Sequence, residues 1–257
     1  MARLKGILDI EGTLGGLSFY KDKATGETLV KESKGGHTSE SIRNDPNKIK
    51  IKESNEDFGS VAKVKNLLLL KVRQQFPAKL PRAVHSSFFT VLRLITAEDV
   101  VNKAGSRLVS MGLKTEKGKR LLMDFLFSPE MGVYSLFHGL PQVNFVGATC
   151  SFAGLTLDTS VFPAEATHVR VHYFVVDYHM EDGSFVAYSA EQVLLDKSDL
   201  PAVLPDFELD GLVDLGVNGG LRVAYVHVQF CKWYEGVLFD LKTKGMIGVR
   251  CVGVFTL

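Results

Sequence analysis

The chain has 257 residues, a net charge of +1, 46% hydrophobic and 23% charged residues. That length and balance exclude a chain too small to bury a core and one too polar to fold. No apolar run approaches the roughly 18–20 residues of a membrane helix, and the opening MARLKGILDIEG reaches Asp9 and Glu11 before a signal-peptide core forms, so neither a membrane span nor secretion by that route is expected.

In chain order, residues 1–36 carry two short strand patterns, 15–21 and 27–31, joined through Gly26 as a β-hairpin. The stretch RNDPNKIKIKESNEDFG, residues 43–59, alternates Lys48, Lys50 and Lys52 with Ile49 and Ile51. That alternation predicts an extended arm with lysines on one face. Thr28–Glu32 is a strand that such an arm would bring to an exposed sheet edge of a neighbour.

From Ser54 or Asn55 the period becomes helical. Phe58, Val61, Val64, Leu68, Val72 and Phe76 form one stripe, and Leu67–Leu70 extend beyond it until Pro77. Further helices are predicted from Pro81, from Thr96 to Gly105, and from Thr115 to Phe127.

After Pro129 the pattern turns to strands over 133–137, 142–152, 168–177, 184–193, 206–213, 221–230, 236–241 and 246–256. Met180-Glu181-Asp182-Gly183 and Lys242-Thr243-Lys244-Gly245 form turns. The expected fold is α+β in three parts. These are a β-hairpin and extended arm (1–53), a small helical bundle (54–128) and an antiparallel β-sandwich (129–257), for which an immunoglobulin-like arrangement is one form.

The segments EGTLGGLSFYKDKATGETLVKESKGG, NDPNKIKIKESNEDFG and FPAEATHVRV resemble a family of uncharacterised Bacteroidota proteins, whose arm follows the pattern DPxFxRTRENxxEFG. Asp45, Pro46, Glu53, Asn55, Phe58 and Gly59 match it. Lys50 and Lys52 stand at its arginines and Lys48 at its aromatic position. The resemblance implies the architecture and carries no activity.

No motif commits the chain to a reaction, so a non-enzymatic protein without a cofactor or metal is expected. His168 and His172 lie four residues apart in a strand, about 13 Å, too far for one metal. Asp177 and His179 would need ligands from a neighbouring strand. Asp206-Phe207-Glu208-Leu209-Asp210 imitates a calcium loop but reaches Val217 where a bidentate Glu belongs, and alternates as an acidic edge strand would. Cys150, Cys231 and Cys251, odd in number and in apolar settings, read as reduced thiols of a cytoplasmic protein.

Charge is unevenly distributed: zero over residues 1–60, +10 over 61–120 and −9 over 121–257. Opposite patches on one chain can be satisfied internally or head-to-tail between copies, giving rings, tubes or filaments. The leading expectation is a self-assembling structural subunit that uses its arm. Its contacts would be Lys48, Lys50, Lys52, Lys63, Lys71 and Arg73 against Asp206, Glu208, Asp210 and Asp214. One alternative is a ligand- or carbohydrate-binding sandwich with a stacking surface of Tyr178, Trp233 and Tyr234. A second uses the basic 61–120 segment for nucleic acid, against which Phe76, Phe88, Phe89 and Phe125 lie in core patterns.

Overall fold

The computed structural model describes residues 2–3, 10–22, 25–33, 38–75, 82–146, 149–157, 160, 162–179, 183–211, 220–243 and 245–256. The fold is α+β, and the chain divides into two compact units, Met1–Lys52 and Glu53–Leu257.

The first unit is a four-stranded antiparallel sheet followed by helix. β1 (Ala2–Arg3), β2 (Gly12–Leu14), β3 (Leu17–Lys21) and β4 (Thr28–Glu32) take the order β1-β4-β3-β2. β2 and β3 meet through Gly15-Gly16, both at positive φ, the two-residue turn whose twist suits a hairpin. The expected hairpin is β3 with β4, paired from Lys21↔Thr28 to Leu17↔Glu32. Because β4 also pairs β1 at Leu29 and Val30, Thr28–Glu32 is an interior strand rather than one ready to join a neighbour's sheet.

The extended arm is overturned. Residues 39–52 are helical: α1 (Ser39–Asn44), a 3-10 turn at Pro46–Lys48, and the start of α2 (Ile49–Gln74). Thr38 caps α1 by accepting from the Ser41 N–H at 3.1 Å, and Asp45 starts the next turn by accepting from the Asn47 N–H at 2.9 Å, with Pro46 at the first position. Two local side-chain bonds and a run of good helix formers outweigh a short period-2 alternation. In a helix Lys50 and Lys52 lie about 200° apart, so the shared lysine face disappears.

The second unit is built on one six-stranded antiparallel sheet. Helices precede it: the rest of α2, α3 (Arg82–Ala97), α4 (Val109–Gly112), α5 (Glu116–Met123) and α6 (Val133–Phe137). The strands are β5 (Gln142–Asn144), β6 (Thr149–Ser151), β7 (Thr156–Leu157), β8 (His168–His179), β9 (Phe185–Ser189), β10 (Val193–Asp196), β11 (Ala202–Val203), β12 (Phe207–Glu208), β13 (Gly220–Tyr234), β14 (Val237–Asp240) and β15 (Ile247–Thr256). β8 and β13 are central. β9 and β10 run along the outer edge of β8, and β14 and β15 along the outer edge of β13.

Both faces of this sheet are covered, so alternate residues of one strand enter different cores. On one face Val61, Leu68, Leu69 and Val72 of α2, with Phe88, Leu92 and Ile95 of α3, pack on Phe174, Val176, Val223 and Tyr225. An aromatic chain ties that layer together: Phe88 to Phe127 at 5.1 Å, Phe127 to Tyr225 at 5.7 Å, Tyr225 to Phe174 at 5.2 Å. On the other face Val171, Tyr173, Val226 and Phe230 pack against α6 and two small sheets, β12-β6-β5 and β11-β7. The sandwich is therefore a large sheet against two small ones, not the four-on-three of an immunoglobulin domain.

Several expected elements differ. The strand expected over 142–152 is two antiparallel strands, β5 paired with β6 from Gln142↔Ser151 to Asn144↔Thr149, and the helix expected from Thr115 to Phe127 ends at Met123. Residues 133–137 form helix α6 rather than a strand, burying Val133, Leu136 and Phe137 at helical spacing; five residues are too few for periodicity to decide. The helix expected over 96–105 is replaced by a turn around the buried Asp99, whose carboxylate accepts from the N–H groups of Val101, Asn102 and Leu108 at 3.0, 3.0 and 2.9 Å. The strand expected over 184–193 is broken into β9 and β10. Between Ala190, bonded to Tyr173, and Val193, paired with Val171, it carries one residue more than β8, a β-bulge at Glu191-Gln192. The bulge switches faces, with Phe185 and Ala187 in the helix-side core and Val193 and Leu195 in the other. The helix expected from Thr115 starts there, with Thr115 as its cap, accepting from the Gly118 N–H at 3.0 Å. Phe76, Pro77, Pro81, Met180, Glu181, Asp182 and Lys244 lie outside the described residues.

Candidate functional site

The helix-side face of the sheet turns polar toward the end where β13 leaves the helices. His172 and His227 are cross-strand partners, their rings nearly perpendicular with centroids 6.4 Å apart, and His172 Nε2 lies 2.5 Å from Ser189 Oγ. Burial, with Arg170 adding to it, holds the His172 imidazole down at about 4, although the Gln75 backbone opposes this. Burial, then His172 and Arg170, takes His227 to about 3. Both rings are neutral at ordinary pH.

The spacing of Ser189 and His172 is that of a nucleophile and its base, but such a pair also needs a group that orients the imidazole. Carboxylates elsewhere on the sheet have other partners. Asp240 holds Arg170 at 2.8 Å, Asp196 lies 3.3 Å from His168, and Asp177 takes Arg222 through two bonds of 2.8 and 2.7 Å, both residues buried. Asp177 is thus half of a bidentate ion pair rather than a ligand beside His179. Among the described residues no three His, Cys, Asp or Glu side chains converge on a metal-sized site. Cys150, Cys231 and Cys251 are free and buried, and burial pushes each thiol up to about 12.

Two surfaces carry unpaired charge. The buried stripe of α2 leaves an opposite stripe of Lys63, Asn66, Leu67, Leu70, Arg73 and Gln74 in solvent, with Leu67 41% and Leu70 51% exposed. The four-leucine run therefore divides into two buried residues and two exposed ones. Burial, then the charges of Lys65 and Arg73, holds the half-buried His85 imidazole of α3 below its usual value, a sign of a local positive field.

The second surface is an open groove of about 530 Å³ between the β9–β10 bulge and the β12 segment. Ser189 to Val193, Pro205 to Glu208, and Asp210 line it. Ala190 and Phe207 are buried beneath it, and Glu191, Asp206, Glu208 and Asp210 are exposed. Among the described residues no ion pair engages Lys63, Lys71, Arg73, Asp206, Glu208 or Asp210.

The sequence-derived residues separate accordingly. Lys48 is satisfied at home, bonded to Ser41 Oγ at 3.1 Å and 3.4 Å from Asp45, which removes it from the free cations. Lys50 and Lys52 are exposed near the start of α2, whereas Lys71 is half-buried beside the stripe. Asp206, Glu208 and Asp210 come together at the groove, and Asp214 lies outside the described residues.

The proposed stacking surface does not exist as a unit. Tyr178 pairs with Leu221 at one end of β13, packs on Phe185 at 4.7 Å and lines a small apolar cavity of about 30 Å³. Trp233, 5.8 Å from His168, sits twelve residues further along β13 from Leu221, roughly 40 Å away at the rise of a strand, and adjacent Tyr234 points to the opposite face. Phe88 of the basic segment and Phe125 just after it are buried, and Phe89 packs on Phe58 at 4.5 Å. Sequence reasoning missed Glu191, whose place at the groove depends on the bulge, and the exposure of Leu67 and Leu70, which was present only as an over-wide apolar run.

No protein-family model, no curated protein and no solved structure matches this chain. No helix among the described residues is long and apolar enough to cross a membrane.

Proposed function

We propose that this chain is a non-enzymatic structural subunit that associates with copies of itself into a homo-oligomeric array such as a filament, tube or shell, in the cytoplasm. The observation that carries the reading is the pair of oppositely charged surfaces, whose Lys63, Arg73, Asp206, Glu208 and Asp210 make no ion pair among the described residues. Exposed charges of one sign that lack internal partners are free to steer and register a second copy. The N-terminal unit contributes to the same assembly: α1 buries none of its residues, and Ser39, Glu40, Arg43 and Asn44 are exposed. Three buried free thiols suit a reducing compartment.

Electron microscopy of the tag-free protein at low and high salt tests this. Regular assemblies that come apart as salt screens the charges are expected, and removal of residues 1–52 is expected to leave a folded body that no longer assembles. Single small particles at every salt and protein concentration would sink the reading.

A further inference from the structure

We propose that the exposed stripe of α2, Leu67 and Leu70 set between Lys63 and Arg73, docks into the acidic groove beside the β9–β10 bulge of a second copy of this chain. The inference rests on the self-assembly reading and specifies the contact.

Each surface has what the other lacks. The stripe combines two exposed leucines with unpaired cations, over about 17 Å of helix from Lys63 to Gln74. The groove is mainly polar, with Glu191, Asp206, Glu208 and Asp210 as its carboxylates, and its apolar part is Val193 and Pro205 above the buried Ala190 and Phe207. Lys63 and Arg73 meeting its acids supply the main complementarity, and Leu67 and Leu70 settle against Val193 and Pro205.

The alternatives within one homo-oligomer are disfavoured by charge. Stripe against stripe would bring together Lys63 and Arg73 of both copies, with Lys65 nearby. Groove against groove would face eight carboxylates with no cation, on the four that line each groove. Only the unlike pairing cancels charge. The two patches differ, so each copy has one stripe and one groove to offer, and head-to-tail repetition of the contact gives a ring or an open array.

Two variants, each with one face broken, test the pairing by size-exclusion chromatography with light scattering. A stripe variant, Leu67→Ser/Leu70→Ser/Arg73→Glu, retains its groove. A groove variant, Asp206→Lys/Glu208→Lys, retains its stripe. Each alone is expected to run as a monomer where the unmodified protein assembles. An equimolar mixture is expected to form a species of twice the monomer mass that cannot grow.

A mixture that stays monomeric while the unmodified protein assembles would overturn this contact and leave self-assembly standing. A groove variant that assembles normally would place α2 against some other face and also overturn it. An unmodified protein that is monomeric at all concentrations removes the self-assembly reading and this contact together, and leaves the stripe to a different protein. Should circular dichroism show either variant unfolded, carbodiimide coupling of mixed isotope-labelled and unlabelled native protein decides. Lys63 joined to Asp206 or Glu208 of another copy supports the docking, and assembled protein without that link contradicts it.

Discussion

The two units of this chain are held by different physics. From residue 10 to 52 no described residue is buried, and the order there comes from sheet pairing, a glycine turn and two side-chain caps. From Glu53 on, two cores flank one sheet and the largest buried side chains are aromatic. Hydrogen bonds between exposed groups trade against water and stabilise little, whereas each large buried side chain removes apolar surface from water. The first unit should therefore open at low cost and the second only as a whole.

Substitutions can widen or erase that contrast. The largest effect is expected from Phe127→Ala, which removes the ring joining Phe88, Phe125 and Tyr225. It should cost the second unit about 3–5 kcal/mol by urea denaturation, and a loss under 1 kcal/mol would show that the aromatic chain is not central.

A smaller effect is expected from pH. In the unfolded chain both histidines protonate near 6.5, while in the folded state His172 waits until about 4 and His227 until about 3. The unfolded chain thus binds more protons below pH 6.5, and stability falls as pH drops through that value toward 4. The loss between pH 7 and 5 is about 2 kcal/mol per histidine, and His172→Gln/His227→Gln should flatten it. Denaturation curves at the two pH values check this, and an equal acid loss in the double variant would assign the effect elsewhere.

The smallest effect belongs to the first unit. Thr38→Ala removes the cap of α1 and should cost about 1 kcal/mol. Hydrogen exchange should quicken in α1 while the amides of β8 and β13 keep their rates. Faster exchange in β8 and β13 as well as in α1 would mean that the units unfold as one.

Much of the fold was legible. The stripes of α2 and α3, the helix start at Thr115, the β3–β4 pairing and the long strands of the large sheet follow from periodicity and turn chemistry. The misreadings were local. Five apolar residues at 133–137 fit either period, and Asp99 was read as a helix start when its carboxylate organises a turn. Alternating lysine and isoleucine suggested an extended arm where Thr38 and Asp45 cap helical turns. The surfaces were harder still. Trp233 and Tyr178 both sit in aromatic-rich strand patterns, yet strand length separates them.

By itself the sequence determined an α+β chain with helices before a large antiparallel sheet and charge divided between those regions, because period and composition are properties of neighbouring residues. Only the tertiary structure decided which leucines of 67–70 face water, that Asp177 is taken by Arg222, and that a one-residue bulge brings Glu191 beside Asp206 and Glu208. Those outcomes depend on which surfaces meet across long stretches of chain, and a single-residue shift in strand register changes them.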